Sequence, residues 1–280
     1  MVKIIADSAC DLSRELLEKY NIEIIPLHIH LGEQEYEDGK NIFPDEIYKW
    51  AEENKTTPKT SVPSMTEVMD IFGKYPEDDI ICFSISQEMS SSANVMRLAA
   101  EEMEMEERVH IIDSRNLSTG IGVLMLEAAT MVQQGLPVTE IVENIHKMIP
   151  KVKVSFIVDT LSYLHRGGRC SGVAAFSGSV LSIHPKIVVS DGKMMPTKKY
   201  RGKMSKVVLN YVKELEEELK SAKKDRVFIT HSGCEESILK EVQKYIESLG
   251  QFEEILVTRA GGVISSHCGP GTLGILYLQA

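Results

Sequence analysis

The side chains best suited to hold a ligand are one histidine near the end of the sequence and two earlier groups of hydroxyls. His267 stands in a glycine-rich run, residues 264–274. Gly269 and Gly271 permit positive φ and close backbone approach, while Pro270 stiffens the chain. We therefore predict a turn that aims the imidazole at a ligand.

The first hydroxyl group is the stretch Thr-Ser-Val-Pro-Ser at residues 60–64. Ser64 and Glu67 have the spacing of a capping box, so Ser64 is expected to be the N-cap of a helix. Thr60 and Ser61 lie just upstream and are left either to face a ligand or to remain solvated.

The second hydroxyl group lies in residues 84–93, between a strand pattern and a helix pattern. With Ser90 as N-cap, the amides of Ser91 and Ser92 would stand at the positive end of a helix and suit a carboxylate or phosphate. The alternative is a helix capped by one serine with the others solvated.

Two sets of cations are candidates for docking a partner. Arg166 and Arg169 close a short predicted helix, where they either complement its C-terminus or contact a partner. Lys199 and Arg201 belong to a basic stretch, residues 193–206, which is either a solvated face or a surface that steers an acidic partner.

Several common cofactor and metal motifs are not supported. Residues 269–274 match G-x-G-x-x-G, but only six residues follow, so the helix and acidic residue of a dinucleotide fingerprint have no place. No Walker A motif or G-x-S-x-G elbow occurs. His28 and His30 alternate on one strand face without a third ligand nearby, which favours a structural role. We expect no metal and no cofactor.

Composition indicates a globular chain of one large or two ordinary domains, with 280 residues of which 43% are hydrophobic. No run of about 18 apolar residues and no signal-like start occur, so we expect a cytoplasmic protein without stable membrane insertion. Five scattered cysteines suggest neither disulfides nor zinc. The net charge of −10 argues against nucleic acid as a partner.

The first half of the sequence alternates buried strand patterns with helical ones, which predicts a doubly wound parallel sheet. The strands are expected at residues 2–5, 79–83 and 109–112, and the helices at 12–20, 90–105 and 117–134. Two of these strands end in Asp-Ser pairs at Asp7 and Asp113, where ligands bind in such sheets, although each aspartate is expected to cap the following turn.

The second half predicts a different architecture. Asp191 and Gly192 form a strong hairpin signal, and helices at 203–220 and 235–249 alternate with further strands. The overall prediction is an α/β chain: a Rossmann-like domain at 1–158 with an insertion near 22–58, followed by an α+β domain at 159–280. The second domain should hold a mixed sheet with helices on one face.

The ordered set of motifs resembles the DegV family across essentially the whole chain. The motifs are Asp7-Ser8, residues 60–64, Ser86 through Ser90, residues 112–114, residues 163–169, the 184–192 hairpin and His267 through Gly271. The resemblance implies a two-domain α/β protein that binds a long-chain fatty acid between its domains. Well-understood members serve as the acyl-carrying subunit of bacterial fatty acid kinase.

The resemblance also assigns the site residues. It places the ligand carboxylate among Thr60, Ser61, Ser90 and His267, near the Ser91 and Ser92 amides and Gly269. The tail would enter an apolar tunnel, where methionines adapt to a flexible chain. The sequence departs from the family at Ser91-Ser92, where Gly-Thr is usual, at Val62 in place of Gln, and at His184 in place of Lys.

Two functions of different classes follow. The favoured one is a carrier, expected to be a monomer, that presents a fatty acid to a separate kinase and performs no chemistry itself. In it, His267 donates a hydrogen bond and neutralises charge. The rival is a hydrolase or acyltransferase with Ser90 or Ser61 as nucleophile and His267 as base. Asp7 or Asp113 would orient that base, but no nucleophile elbow supports this reading.

Overall fold

The computed structural model describes residues 1–170, 172 and 183–280. The strands are β1 (Val2–Asp7), β2 (Glu23–Ile25), β3 (His28–Leu31), β4 (Gln34–Glu37), β5 (Lys59–Ser61), β6 (Asp79–Ser84), β7 (Val109–Asp113), β8 (Val152–Ile157), β9 (Ile183–Ser190), β10 (Lys193–Arg201), β11 (Ala222–His231), β12 (Glu254–Arg259) and β13 (Leu273–Gln279).

The α-helices connect and cover these strands. They are α1 (Arg14–Lys19), α2 (Pro44–Asn54), α3 (Met65–Phe72), α4 (Ser92–Glu102), α5 (Thr119–Gln133), α6 (Val138–Met148), α7 (Ser162–Gly167), α8 (Met204–Glu214), α9 (Glu216–Lys220), α10 (Glu236–Ser248) and α11 (Gly262–Cys268). Within the described ranges, no helix is long and apolar enough to cross a membrane.

The first sheet has the order β2-β1-β6-β7 and is parallel throughout, as the sequence predicted. Its strands are apolar on both faces because both faces are covered. Ile5 and Cys82 pack with α3 and α4, whereas Ala6 and Phe83 pack in the cluster that contains α5. The strands β1 and β7 end at the two aspartates of the Asp-Ser pairs, which therefore share one edge of the sheet.

A small antiparallel sheet, β4-β3-β5, forms the insertion beside the first sheet. The predicted hairpin is made by β3 and β4. Strand β5 pairs with the other side of β3, with Thr60 opposite Ile29 and Ser61 opposite His28. This pairing fixes the first hydroxyl segment on a strand instead of a free loop.

The second sheet is mixed and has the order β10-β9-β8-β13-β11-β12. Its predicted hairpin turns at Asp191 and Gly192, which both have positive φ, the conformation that such a turn requires. One face packs against α8 and α10, and the opposite face packs against α5. Strand β8 lies before residue 158, the predicted boundary, yet pairs with β9 and β13 of the second sheet.

The turn predicted around His267 is wrong, because residues 262–268 form helix α11. Glycine at position 262 masks the helical pattern, but it is required by packing: a Cβ there would lie 2.6 Å from Ile29 and 2.7 Å from Asp38. His267 therefore occupies the last turn of a helix, with Gly269 as the C-cap.

Candidate functional site

A cavity of about 250 Å³ lies where α11, β5 and the loop before α4 meet. One part of its wall is polar and the rest is apolar. The polar lining residues are Thr60, Ser61, Ser90, Ser91, Arg169 and His267. The apolar lining residues are Leu27, Val62, Ile85, Met89, Leu117, Met194, Val263, Ile264 and Cys268. The wall therefore suits an amphipathic ligand with a polar head and an apolar body.

His267 is joined to the hydroxyl segment by a hydrogen bond of 2.8 Å between its Nε2 and Thr60 Oγ1. Its Nδ1 is buried and has no hydrogen-bond partner within the described part of the chain. The ring packs on Gly167 of α7, where a Cβ would clash with Nδ1. The imidazole is thus held between a strand hydroxyl and a glycine.

Burial, with a smaller contribution in the same direction from the nearby Arg169 guanidinium, lowers the pKa of His267 to about 4. An imidazole with this pKa is uncharged at neutral pH and can donate one hydrogen bond. The lowered pKa argues against the expectation that His267 also neutralises charge. Among the described residues that line the cavity, the cation is Arg169.

Arg169, which the sequence suggested as a docking residue, contributes to the cavity wall. Its Nη1 donates to the Gly167 carbonyl at 2.8 Å, and its Nε donates to the Met89 carbonyl at 3.5 Å. These contacts place the guanidinium beside the polar lining residues. The Gly-Gly pair before Arg169 is a local signal for the end of α7. It does not indicate that this end lies at the cavity.

The other predicted docking residues lie elsewhere. Arg166 is exposed on α7 and is not among the residues that line the cavity. Lys199 and Arg201 lie on β10, opposite Pro185 and Ile183 of β9. The predicted docking set is therefore divided among the cavity, the exposed surface of α7 and a separate strand.

The serine segment begins its helix one residue later than predicted. Ser91 is the N-cap of α4, while Ser90 Oγ accepts a hydrogen bond from the Ser92 amide at 3.3 Å. That amide is consequently occupied, and Ser92 is fully buried away from the cavity lining. Ser90 and Ser91 do line the cavity, so two of the three serines reach it.

The sequence left open whether the hydroxyls of Thr60 and Ser61 face a ligand, and the structure places both at the cavity. Ser64 caps α3 in the predicted capping box with Glu67. Thr60 and Ser61 both line the cavity, and Ser61 Oγ lies 2.8 Å from His30 Nε2. His30, read as structural from the sequence, thus positions a lining hydroxyl.

Gly269 is not at the cavity. Its Cα faces Tyr163, whose ring a Cβ would approach to within 2.6 Å, and its carbonyl accepts from Ser232 Oγ at 2.5 Å. Gly269 has φ +75°, so its role here is to end α11.

The aspartates of the hydrolase alternative do not reach His267. Asp7 accepts from the amides of Ala9 at 3.3 Å and Ile85 at 2.9 Å, and burial raises its pKa to about 6. Asp113 accepts from backbone amides of two nearby loop residues at 3.0 and 3.2 Å. Both aspartates therefore organise turns, and the geometry of a nucleophile–base–carboxylate triad is not formed.

A second, smaller cavity of about 30 Å³ lies beside the first. The two share Leu117, Ile264 and Cys268, and the second is also walled by Val154 and Phe156 of β8. This second cavity lies between the segment before α5, α11 and the second sheet. Sequence reasoning missed these residues because each is read locally as ordinary core.

Comparison with known proteins gives one consistent family. A family model described as "Uncharacterised protein, DegV family" matches residues 1–280. A DegV domain-containing protein of Clostridium acetobutylicum is 32% identical over 284 residues, covering 99% of this chain and 99% of that protein. A protein of Thermotoga maritima named fatty acid-binding protein is 29% identical over 286 residues, covering 98% of this chain and 96% of that protein.

The fold is similar to a solved structure over its whole length. A DegV family protein from Thermus thermophilus, described by its fatty acid binding, superposes with a TM-score of 0.91 at 28% identity. The superposition covers 100% of this chain and 99% of that chain. The expected two-part α/β architecture with one parallel and one mixed sheet is confirmed.

Proposed function

Since this chain belongs to the DegV family, we propose that it binds a long-chain fatty acid and presents the carboxylate to a separate fatty acid kinase. The observation that carries the proposal is the division of one cavity into a polar end and an apolar remainder. Similar proteins from Thermus thermophilus and Thermotoga maritima are described by fatty acid binding, which supports the same ligand class here.

The carboxylate is held by hydroxyls, an imidazole and a guanidinium. Thr60 and His267 already share a hydrogen bond. A bound carboxylate oxygen can therefore accept from one of them while the hydrogen bond between the two side chains is kept. Arg169 supplies the positive charge that neutral His267 lacks. Hydrogen bonds to a charged acceptor are the stronger ones, about 1.5–3 kcal/mol each.

The hydroxyls of Ser61 and Ser90 complete the polar end. Ser61 is oriented by His30, and Ser90 is oriented by the Ser92 amide that it caps. In the described part of the chain, Ser90 has no imidazole within hydrogen-bond distance. Ser61 meets the His30 imidazole, but Glu35 Oε2 lies 4.0 Å from His30 Nδ1, beyond hydrogen-bond distance, so no hydrogen-bonded triad stands behind Ser61. This arrangement favours recognition over nucleophilic attack.

The acyl tail occupies the apolar remainder and continues past Leu117 and Ile264 toward the second cavity. Met89 and Met194 border the first cavity, and their unbranched side chains adapt to a flexible ligand. Burial of the tail supplies most of the affinity, about 0.8 kcal/mol per CH₂ before ordering costs.

Presentation to a kinase is the finer part of the proposal. The cation-rich strand β10 and the following turn offer a surface for an acidic partner, since Lys198, Arg201 and Lys203 lie close together in sequence at one sheet edge. The protein itself then acts as a carrier, and the phosphoryl transfer belongs to the partner.

Extraction of the purified protein and mass spectrometry of the extract test the ligand. We expect a fatty acid in near-stoichiometric amount, or uptake of one by delipidated protein. A reproducibly empty cavity that takes up no fatty acid overturns the proposal.

Kinase presentation is tested separately. The loaded protein is incubated with a bacterial fatty acid kinase catalytic subunit and ATP, with free fatty acid as the control. Acyl phosphate formed only from the loaded carrier is expected. Equal turnover of free fatty acid would contradict the carrier role while leaving ligand binding intact.

A further inference from the structure

The buried carboxylates of Asp38 and Asp11 hold the first turn of α11, the helix that ends at the candidate site. Asp38 Oδ1 accepts from the Gly262 amide at 2.7 Å, and its Oδ2 accepts from the Val263 amide at 3.2 Å. Asp11 Oδ1 accepts from the Gly261 amide at 2.8 Å. Three consecutive amides that a helix start leaves without backbone partners are thus satisfied by side chains.

Hydroxyl groups fix the orientation of both carboxyls. Ser8 Oγ donates to Asp38 Oδ2 at 2.8 Å and accepts from the Leu27 amide at 3.1 Å. Ser118 Oγ donates to Asp11 Oδ2 at 2.5 Å. Each carboxyl therefore joins α11 to the first domain at a defined position.

These contacts offset an unfavourable burial. Asp38 and Asp11 are 3% and 6% exposed, and burial raises the pKa of both, to about 8 for Asp11. In the part of the chain that the structure describes, no lysine, arginine or histidine pairs with either carboxyl. The positive end of α11 and the hydroxyls are their stabilising partners.

The same helix supplies much of the cavity wall. Val263, Ile264, His267 and Cys268 all line it, and His267 meets Thr60 of the separate sheet β4-β3-β5. A shift of α11 along its axis would separate that pair. The tight fit of Gly262 and the three carboxyl–amide bonds oppose such a shift.

We propose that Asp38, assisted by Asp11, is a positioning residue for carboxylate recognition: it sets the place of α11 so that His267 meets Thr60 and the ligand head group. The ligand part of this inference rests on the proposed function. The geometric part rests only on the observed hydrogen bond between His267 and Thr60.

The test replaces Asp38 by asparagine, which keeps the shape but can accept through one oxygen only. Binding of palmitate and of hexadecanol is measured, together with the NMR resonances of the His267 imidazole in the free protein. We expect the palmitate-to-hexadecanol affinity ratio to fall about tenfold and the imidazole resonances to shift. Asp45→Asn is the matched control, since Asp45 pairs with Arg259 on the surface at 3.1 Å and makes no contact with the α11 amides.

Unchanged ratio and unchanged resonances in Asp38→Asn overturn the positioning role. If that variant fails to fold, Ser8→Ala removes one donor to Asp38. It should lower the palmitate-to-hexadecanol affinity ratio about threefold and shift the imidazole resonances in the same direction as Asp38→Asn would. If the native protein binds no palmitate, the proposed function fails, and the resonances alone then decide whether Asp38 positions His267.

Discussion

Thr60 Oγ1 and His267 Nε2 lie 2.8 Å apart although 207 residues separate them in the sequence. Thr60 is fixed by the pairing of β5 with β3, and His267 is fixed at the end of α11. The bond therefore reports whether the insertion and the C-terminal helix are correctly placed. It also gives the polar end of the cavity a defined donor geometry.

Removing either member of this pair should weaken carboxylate binding specifically. Thr60→Val keeps the volume and loses the hydroxyl, and His267→Ala loses the imidazole. We expect each to weaken palmitate binding by about 1–2 kcal/mol, roughly five- to thirtyfold. Hexadecanol, which lacks the charge, should lose less, and calorimetric titration of both ligands measures the difference. Unchanged palmitate affinity in His267→Ala would contradict a role for His267 in carboxylate binding.

Because the two residues are in contact, their effects should not be additive. The double variant is expected to lose less affinity than the sum of the two single losses. Strict additivity would mean that each residue binds the ligand without the other.

Arg169 should contribute charge to the site. Arg169→Gln keeps a donor near the Gly167 carbonyl but removes the positive charge, so palmitate affinity should fall by about 1–2 kcal/mol while hexadecanol affinity changes little. Arg166→Gln, on the exposed side of α7, is the matched control and should bind both ligands normally. An Arg169→Gln protein that binds palmitate normally but fails in the kinase assay would instead assign Arg169 to docking.

The low pKa of His267 predicts a pH-dependent stability of the ligand-free protein. Its folded-state pKa of about 4 lies below the ordinary value of 6.5, so the unfolded chain binds the proton more tightly. The stabilisation that comes from the neutral His267 imidazole is present above pH 6.5 and is lost as the pH falls toward 4. Relative to His267→Gln, the native protein should lose about 3 kcal/mol of unfolding free energy over that window.

Urea unfolding of both proteins at several pH values measures this difference. Other groups, such as Asp7 with its raised pKa, contribute equally to both proteins and cancel in the comparison. A difference that stays constant from pH 7 to pH 4 would show that the imidazole titrates normally.

Local signals predicted the elements well, and the reasons are visible in single residues. The capping box of Ser64 and Glu67 and the hairpin turn at Asp191 and Gly192 are set by neighbours in sequence, and both are confirmed. The parallel strands were equally legible, because burial on both faces leaves an uninterrupted apolar run.

The parts that sequence reasoning missed depend on distant partners. Helix α11 is capped by Asp11 and Asp38. These carboxyls accept hydrogen bonds from amides that lie 250 and 224 residues away in the sequence. Arg169 reaches the cavity because α7 ends beside α11, a packing relation that no local pattern encodes. The grouping of Thr60 with His267 was expected from the family resemblance and not from spacing.

On the proposed path of the acyl tail, chain-length preference should depend on the passage from the first cavity to the second. Ile264 borders both, and Ile264→Phe should narrow the passage. Each methylene displaced from apolar surroundings costs about 0.8 kcal/mol, so affinity for the longest saturated acids should fall most. A series of acids of increasing length, with Ile264→Val as control, measures the profile. A uniform loss across the series would place the tail elsewhere.

Gly167 should be required because the His267 ring packs on it. Gly167 lies in α7 with helical backbone geometry, where alanine is intrinsically better by about 0.5–1 kcal/mol. The Cβ of Gly167→Ala would nevertheless clash with His267 Nδ1 and push the ring away from Thr60. We therefore expect lower stability and weaker palmitate binding in Gly167→Ala, by about 1–3 kcal/mol in unfolding free energy.

The decisive comparison is the cycle with His267→Ala. Once the imidazole is gone, the added methyl has space, so Gly167→Ala should become neutral or slightly stabilising in that background. Urea unfolding of the four proteins gives the coupling energy directly. If Gly167→Ala instead lowers the free energy of unfolding equally with and without the imidazole, some other neighbour requires the glycine. That result would contradict the packing of the His267 ring on Gly167.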